Sequence, residues 1–201
     1  YEHDMASALW ELSGEDALLD AYRKELALHG KTPDEMKPVV RITTSDTGSG
    51  GANIFPMLVS GKENTTISLG SPLRLGHRNG TKLSEFDDQL KLLYGKYQLA
   101  AGNLVKLLKV EVMNPVNCMK GVMDKLGIAR KYAAEAADLF VAQYGEYPCT
   151  AHDIYFGISE ILYMLACEGE EGGRIARMEE TIARALSVNW REYDVPGAYR
   201  W

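Results

Sequence analysis

Cysteine is scarce in this 201-residue sequence: Cys118, Cys149 and Cys167 are the whole complement. An odd number at wide spacing does not suit a disulfide framework. No two are close enough to start a zinc site. Reduced, partly buried thiols are expected. Long hydrophobic runs are missing as well. Every apolar stretch falls short of the roughly 18–20 residues a membrane span needs, so no membrane partner is expected. Internal repeats and low-complexity tracts are absent, and so are the HExxH, GxSxG and CxxC patterns. No metal, cofactor or catalytic residue is therefore assigned. Basic charge is in deficit, with 22 Lys and Arg against 28 Asp and Glu and a net charge of −6. Such a balance makes a poor bulk duplex binder, because duplex affinity rests on neutralised phosphates.

The composition that remains, 46% hydrophobic and 25% charged, is that of a folded globular chain. Residues 4–28 read as helix, with a capping-like restart at Ser13 and Asp16. Residues 39–77 change character. Val39 to Thr44 and Asn53 to Val59 are β-rich, and the run Ser45 to Gly51 between them is turn-forming, which predicts a hairpin with a long loop. Pro56 marks the second of these strands as an edge or bulged one. Thr65 to Leu69 is a third strand, and Leu73 to His77 extends it or starts a fourth.

From Lys82 onward the pattern is helical. Leu83, Phe86, Leu90, Leu93, Tyr97, Ala100, Leu104 and Leu107 alternate spacings of three and four, which predicts one helix of some seven turns. That seam serves either a core helix or a homo-oligomer formed through residues 83–108. Asn114-Pro115 opens a further helix that ends at Gly127. Another runs from Ile128 to Tyr144. Thr150 and Asp153 form a capping box ahead of an apolar helix that is expected to be central, and Arg174 to Leu186 is the last. The expected architecture is α+β and helix-rich: a small antiparallel sheet of three to four strands, then about five helices. We expect a single domain over 1–201, with a β module at 38–80, a helical body at 82–187 and a docked tail at 188–201.

Several residues invite a chemical reading. Asp46-Thr47-Gly48-Ser49 resembles the aspartic-protease loop, but Thr43-Thr44-Ser45 stands where that enzyme has apolar strand residues, and no second signature follows. The same glycine-rich loop leads into a strand and has no lysine, unlike a phosphate-binding loop. His152 and Asp153 sit at a helix start, where capping accounts for the aspartate. Glu160 lies two turns later on the same face of a mostly apolar helix, where a buried glutamate would be a functional acid and the alternatives are an arginine partner or solvent. Glu168, Glu170, Glu171, Glu179 and Glu180 form a late acidic cluster suited to docking on a basic protein. The clearest local asymmetry is basic. Residues 39–82 carry a net +3 and the remainder −9. Arg74, His77, Arg78 and Lys82 cluster, and Arg41 can join Arg74 and Arg78 across the sheet. A basic sheet face suits single-stranded nucleic acid, although only Phe55 is at hand as an aromatic platform.

The segments Arg41 to Gly48, Asn53 to Pro56, Pro72 to Leu75, Thr150 to Gly157 and the closing Trp190 stretch resemble phage- and plasmid-borne proteins of a domain-of-unknown-function family. The order strand–strand–strand–long helix is also similar to the core of single-strand annealing proteins of the Rad52 type. No catalytic residue carries over. The resemblance implies a mobile-element setting in the cytoplasm of a bacterial host, and a natural protein longer at its N-terminus than Tyr1. Two functions follow as expectations. One is a non-enzymatic accessory that binds single-stranded DNA through Arg41, Arg74, His77, Arg78 and Lys82. The other is an inhibitor or regulator of a host protein acting through the acidic helices.

Overall fold

A computed structural model describes residues 5–13, 16–31, 36–45, 51–60, 65–75, 83–199 and 201. The fold is α+β, with an antiparallel sheet followed by five α-helices. The chain divides into two compact units, residues 1–102 and 103–201.

The first unit is built on five strands: β1 (Met5–Glu11), β2 (Lys37–Ser45), β3 (Ala52–Ser60), β4 (Thr65–Ser68) and β5 (Leu73–Leu75). The expected helix at 4–28 is corrected at its start. Met5–Glu11 pairs along its whole length with β2, from Met5 opposite Ser45 to Glu11 opposite Val39. Only Asp20–Leu28 forms α1, preceded by a 3-10 turn at Asp16–Leu19. Met, Ala, Leu and Glu favour a helix locally. A seven-residue helix is too short to hold by itself, so the cross-strand partner decides.

Pro56 is the second correction. β3 is the middle of the sheet, not an edge, with β2 on one side and both β4 and β5 on the other. The carbonyl of Pro56 accepts from the N–H of Leu69, so its backbone faces the β4/β5 side. β4 pairs with Met57 to Ser60 and β5 with Ala52 to Ile54. The missing N–H therefore falls in the gap between two short strands, where no ladder bond is lost. Both faces of the middle strands are buried, through Val39 and Met57 on one and Val40, Ile54 and Leu58 on the other.

α2 (Leu83–Leu108) is the predicted long helix. Its seam residues Leu93, Tyr97, Ala100, Leu104 and Leu107 are buried within the chain itself. Among the described residues the exposed leucines of this helix, Leu92 and Leu99, lie off the seam. Tyr97 reaches the sheet: its hydroxyl accepts from Met57 N–H at 3.0 Å and lies against the carbonyls of Val39 and Met57.

The second unit holds α3 (Pro115–Leu126), α4 (Arg130–Tyr144), α5 (Ala151–Cys167) and α6 (Gly172–Ala183), with a two-residue bridge pairing β6 (Glu111–Val112) to β7 (Cys149–Thr150). Pro115 takes the first turn of α3, and Gly127 closes that helix in the left-handed conformation at φ 74°. α5 is the buried centre, with eleven buried residues and the expected Thr150/Asp153 capping box. Gly157 lets it approach α4 closely, since a Cβ there would sit 2.7 Å from Phe140 Cδ2. The last helix ends earlier than expected, at Ala183, and passes into a 3-10 turn at Arg184–Ser187. After it, Trp190 is buried, and its indole N–H donates to the Ala185 carbonyl at 3.1 Å.

Candidate nucleic-acid interface

Directly opposed residues on neighbouring strands share a face. Arg41 on β2 opposes Phe55 on β3; Thr43 opposes Asn53; and Asn53 opposes Arg74 on β5. The register thus carries Arg41, Thr43, Asn53, Phe55 and Arg74 to one face. Two strand spacings and a two-residue offset separate the Arg41 and Arg74 backbones by roughly 10–12 Å. His77, Arg78 and Lys82, the other members of the predicted cluster, lie outside the described residues, as does the Asp46 loop.

The two arginines differ in setting. Arg74 is exposed. Arg41 is half-buried, with its guanidinium carbon 4.7 Å from the centre of the Phe55 ring. Burial lowers its pKa to about 10, which leaves it charged at neutral pH. Phe55 itself is only 3% exposed. It is the seat of Arg41, and its ring face is unavailable to an incoming base. The exposed aromatic of the sheet is Trp10, at 55%. It opposes Val40 and so points to the other face from Arg41. Its place on a strand was hidden by the helical reading of residues 4–28.

His152 is 4% exposed and stacks on Phe156 with ring centres 4.4 Å apart. Asp153 accepts from the backbone N–H of Thr150 at 3.0 Å and from its hydroxyl at 2.7 Å, which completes the cap. Glu160 is half-buried on α5. Among the described residues no three His, Cys, Asp or Glu side chains gather to hold a metal ion. All three cysteines are free thiols, and burial pushes the pKa of Cys118 up to about 12. No helix among the described residues is long and apolar enough to cross a membrane.

The acidic cluster is less available than its sequence implies. Glu168 pairs with Lys131 and accepts from the Tyr132 hydroxyl at 3.0 Å, and these bonds hold its carboxyl below the usual range. Glu170 pairs with Arg174. Glu179 is 1% exposed, so it contributes nothing to a surface. No known protein family, curated protein or solved structure matches the chain.

Proposed function

We propose that this chain binds single-stranded nucleic acid, single-stranded DNA in the first place, as a non-enzymatic accessory of a phage- or plasmid-type mobile element in a bacterial cytoplasm. The strand register carries the reading: it aligns Arg41, Asn53 and Arg74 on one face of the net-positive segment of an acidic chain. Arg74 supplies an exposed cation for phosphate. Arg41, stacked on Phe55 with Nε and Nη2 shielded from solvent, adds positive potential behind that face and not a direct phosphate contact. Asn53 stands between them as a neutral hydrogen-bonding group. The mobile-element setting follows from the family resemblance of residues 39–201. Docking of a basic host protein on the acidic helices is the weaker reading, because Glu168 and Glu170 are already paired and Glu179 is buried.

The test is fluorescence anisotropy with a labelled oligothymidylate across a salt series. Binding should weaken steeply as salt rises, and Arg74→Glu should lower the affinity and flatten the salt slope by about 0.7 or more. Duplex of the same length should bind less well. No binding at low salt, or binding indifferent to both salt and Arg74→Glu, would reject the proposal.

A further inference from the structure

Within the second unit, the last turn of α2 and the segment after α6 border a half-open cleft of about 520 Å³. That volume is in the range of small-molecule sites, roughly 300–1,000 Å³. Leu107, Val110, Leu186 and Val188 give it an apolar wall, and Lys106 and Arg191 give it two positive charges. Among the described residues no carboxylate lines it.

Lys106 and Arg191 thus bring two cations to one cleft of a chain with a net charge of −6. Among the described residues the ammonium of Lys106 has only the amide oxygen of Asn103, at 3.4 Å. The side chain of Arg191 makes no hydrogen bond or ion pair among the described residues. The nearest acid in sequence, Glu192, is engaged by the amide of Asn189 at 2.8 Å. The C-terminal end of α2 opposes an anion in principle, since helix carbonyls carry about half a negative charge there. Two of those carbonyls, on Lys106 and Leu107, are already taken by the N–H groups of Lys109 and Val110. Two full positive charges exceed what is left.

We infer that this cleft binds a phosphate monoester with an apolar or aromatic body of nucleoside size. The Arg191 fork takes two phosphate oxygens, Lys106 adds a point charge, and the body lies on the Leu107–Val188 wall. A free nucleotide and the 5′-phosphorylated end of a strand share this chemistry. The site lies in a different unit from Arg41 and Arg74 and stands independently of the sheet-face reading.

Isothermal titration calorimetry on the full chain tests it with adenosine 5′-monophosphate, adenosine, inorganic phosphate, and short oligonucleotides bearing a 5′-phosphate or a 5′-hydroxyl. Adenosine 5′-monophosphate should bind about tenfold or more tighter than adenosine or inorganic phosphate. Arg191→Glu and Lys106→Glu should each abolish the heat, Lys106→Arg should keep it, and Arg74→Glu should leave it unchanged. Both reversed residues are exposed, and circular dichroism verifies that the variants fold. Equal binding of the 5′-phosphorylated oligonucleotide assigns the site to strand ends, and binding of the mononucleotide alone assigns it to free nucleotides. Adenosine or inorganic phosphate binding as tightly as the monophosphate, no saturable binding by any probe, or binding indifferent to both charge reversals overturns the inference.

Discussion

The carboxylate of Asp194 accepts hydrogen bonds from both nitrogens of Asn114, the backbone N–H at 2.7 Å and the side-chain amide at 2.9 Å. It takes a third from Met113 N–H at 2.9 Å. An acid from the tail thus satisfies the backbone donors that lead into α3, including that of the N-cap residue, which in a capping box is the work of the N3 side chain. Asn114 occupies that N-cap position but makes no side-chain cap bond of its own. Next to it, Asn117 donates to the carbonyls of Val195 and Gly197.

Protonation should undo this latch. Burial pushes the pKa of Asp194 up, but the bonds from Met113 and Asn114 outweigh it and leave the group below its ordinary value. A carboxyl depressed in the folded state adds stability above its unfolded pKa of about 3.9 and loses it as pH falls through the folded value. The tail should therefore loosen below about pH 4, read as a change in Trp fluorescence and as new protease sensitivity after residue 190. Asp194→Ala should show the same loosening at pH 7, with a stability loss of about 1–3 kcal/mol. A tail equally resistant to protease in the variant and at pH 3 would contradict this role.

Tyr97 makes a second long-range bond testable. Its phenol is fully buried against the Val39 and Met57 backbone, and burial raises its pKa. Tyr97→Phe removes the acceptor of Met57 N–H at a site closed to bulk solvent. We expect a loss of about 1–3 kcal/mol in denaturant unfolding. The alkaline limb should change as well. A phenol whose folded pKa lies above the unfolded one stabilises fully below about pH 10, and this contribution is lost as pH rises further. The variant should therefore lose less stability than the parent between pH 10 and 11. Parallel pH profiles would show that the hydroxyl is not held as described.

Much of the fold was legible because its signals repeat or are local. The α2 seam returns at every turn, and the residues it predicts inside, from Leu93 to Leu107, are inside. The α5 cap needs only Thr150 and Asp153, three residues apart. β1 was not legible. Its residues favour a helix, and the partner that makes it a strand begins 26 residues after its end, at Lys37. Pro56 misled for a related reason: the general rule against proline in a central strand is sound, but the gap between β4 and β5 that accommodates it is a tertiary feature.

The candidate site was legible as charge but not as geometry. Counting bases located the positive segment, whereas only the pairing register places Arg74 and Arg41 on one face. Exposure lay beyond the sequence as well. Phe55, expected as an aromatic platform, and Glu179, counted in an acidic surface, are both buried. The cleft between Lys106 and Arg191 joins positions 85 residues apart in sequence, with no motif to announce either.

Two glycine-to-alanine changes in helices should act in opposite directions. In a helix interior, alanine is favoured over glycine by about 0.8–1 kcal/mol. Gly95 of α2 is exposed, and a Cβ there would meet nothing within 4 Å. Gly95→Ala should therefore raise stability by nearly that amount. At Gly157 of α5 the same gain competes with a clash, because the new Cβ would lie 2.7 Å from Phe140 Cδ2 and 3.4 Å from Met119 Cε. The Phe140 ring has little freedom to retreat, being 2% exposed with the Tyr144 ring centre 5.1 Å away. Overpacking of this kind costs about 1–3 kcal/mol, so it wins over propensity. Thermal unfolding should show Tm rising for Gly95→Ala and falling for Gly157→Ala. Adding Phe140→Leu to the second variant should recover part of the loss, since the smaller side chain vacates the Cδ2 position. A Gly157→Ala variant as stable as Gly95→Ala would mean that α4 and α5 do not approach each other at Gly157.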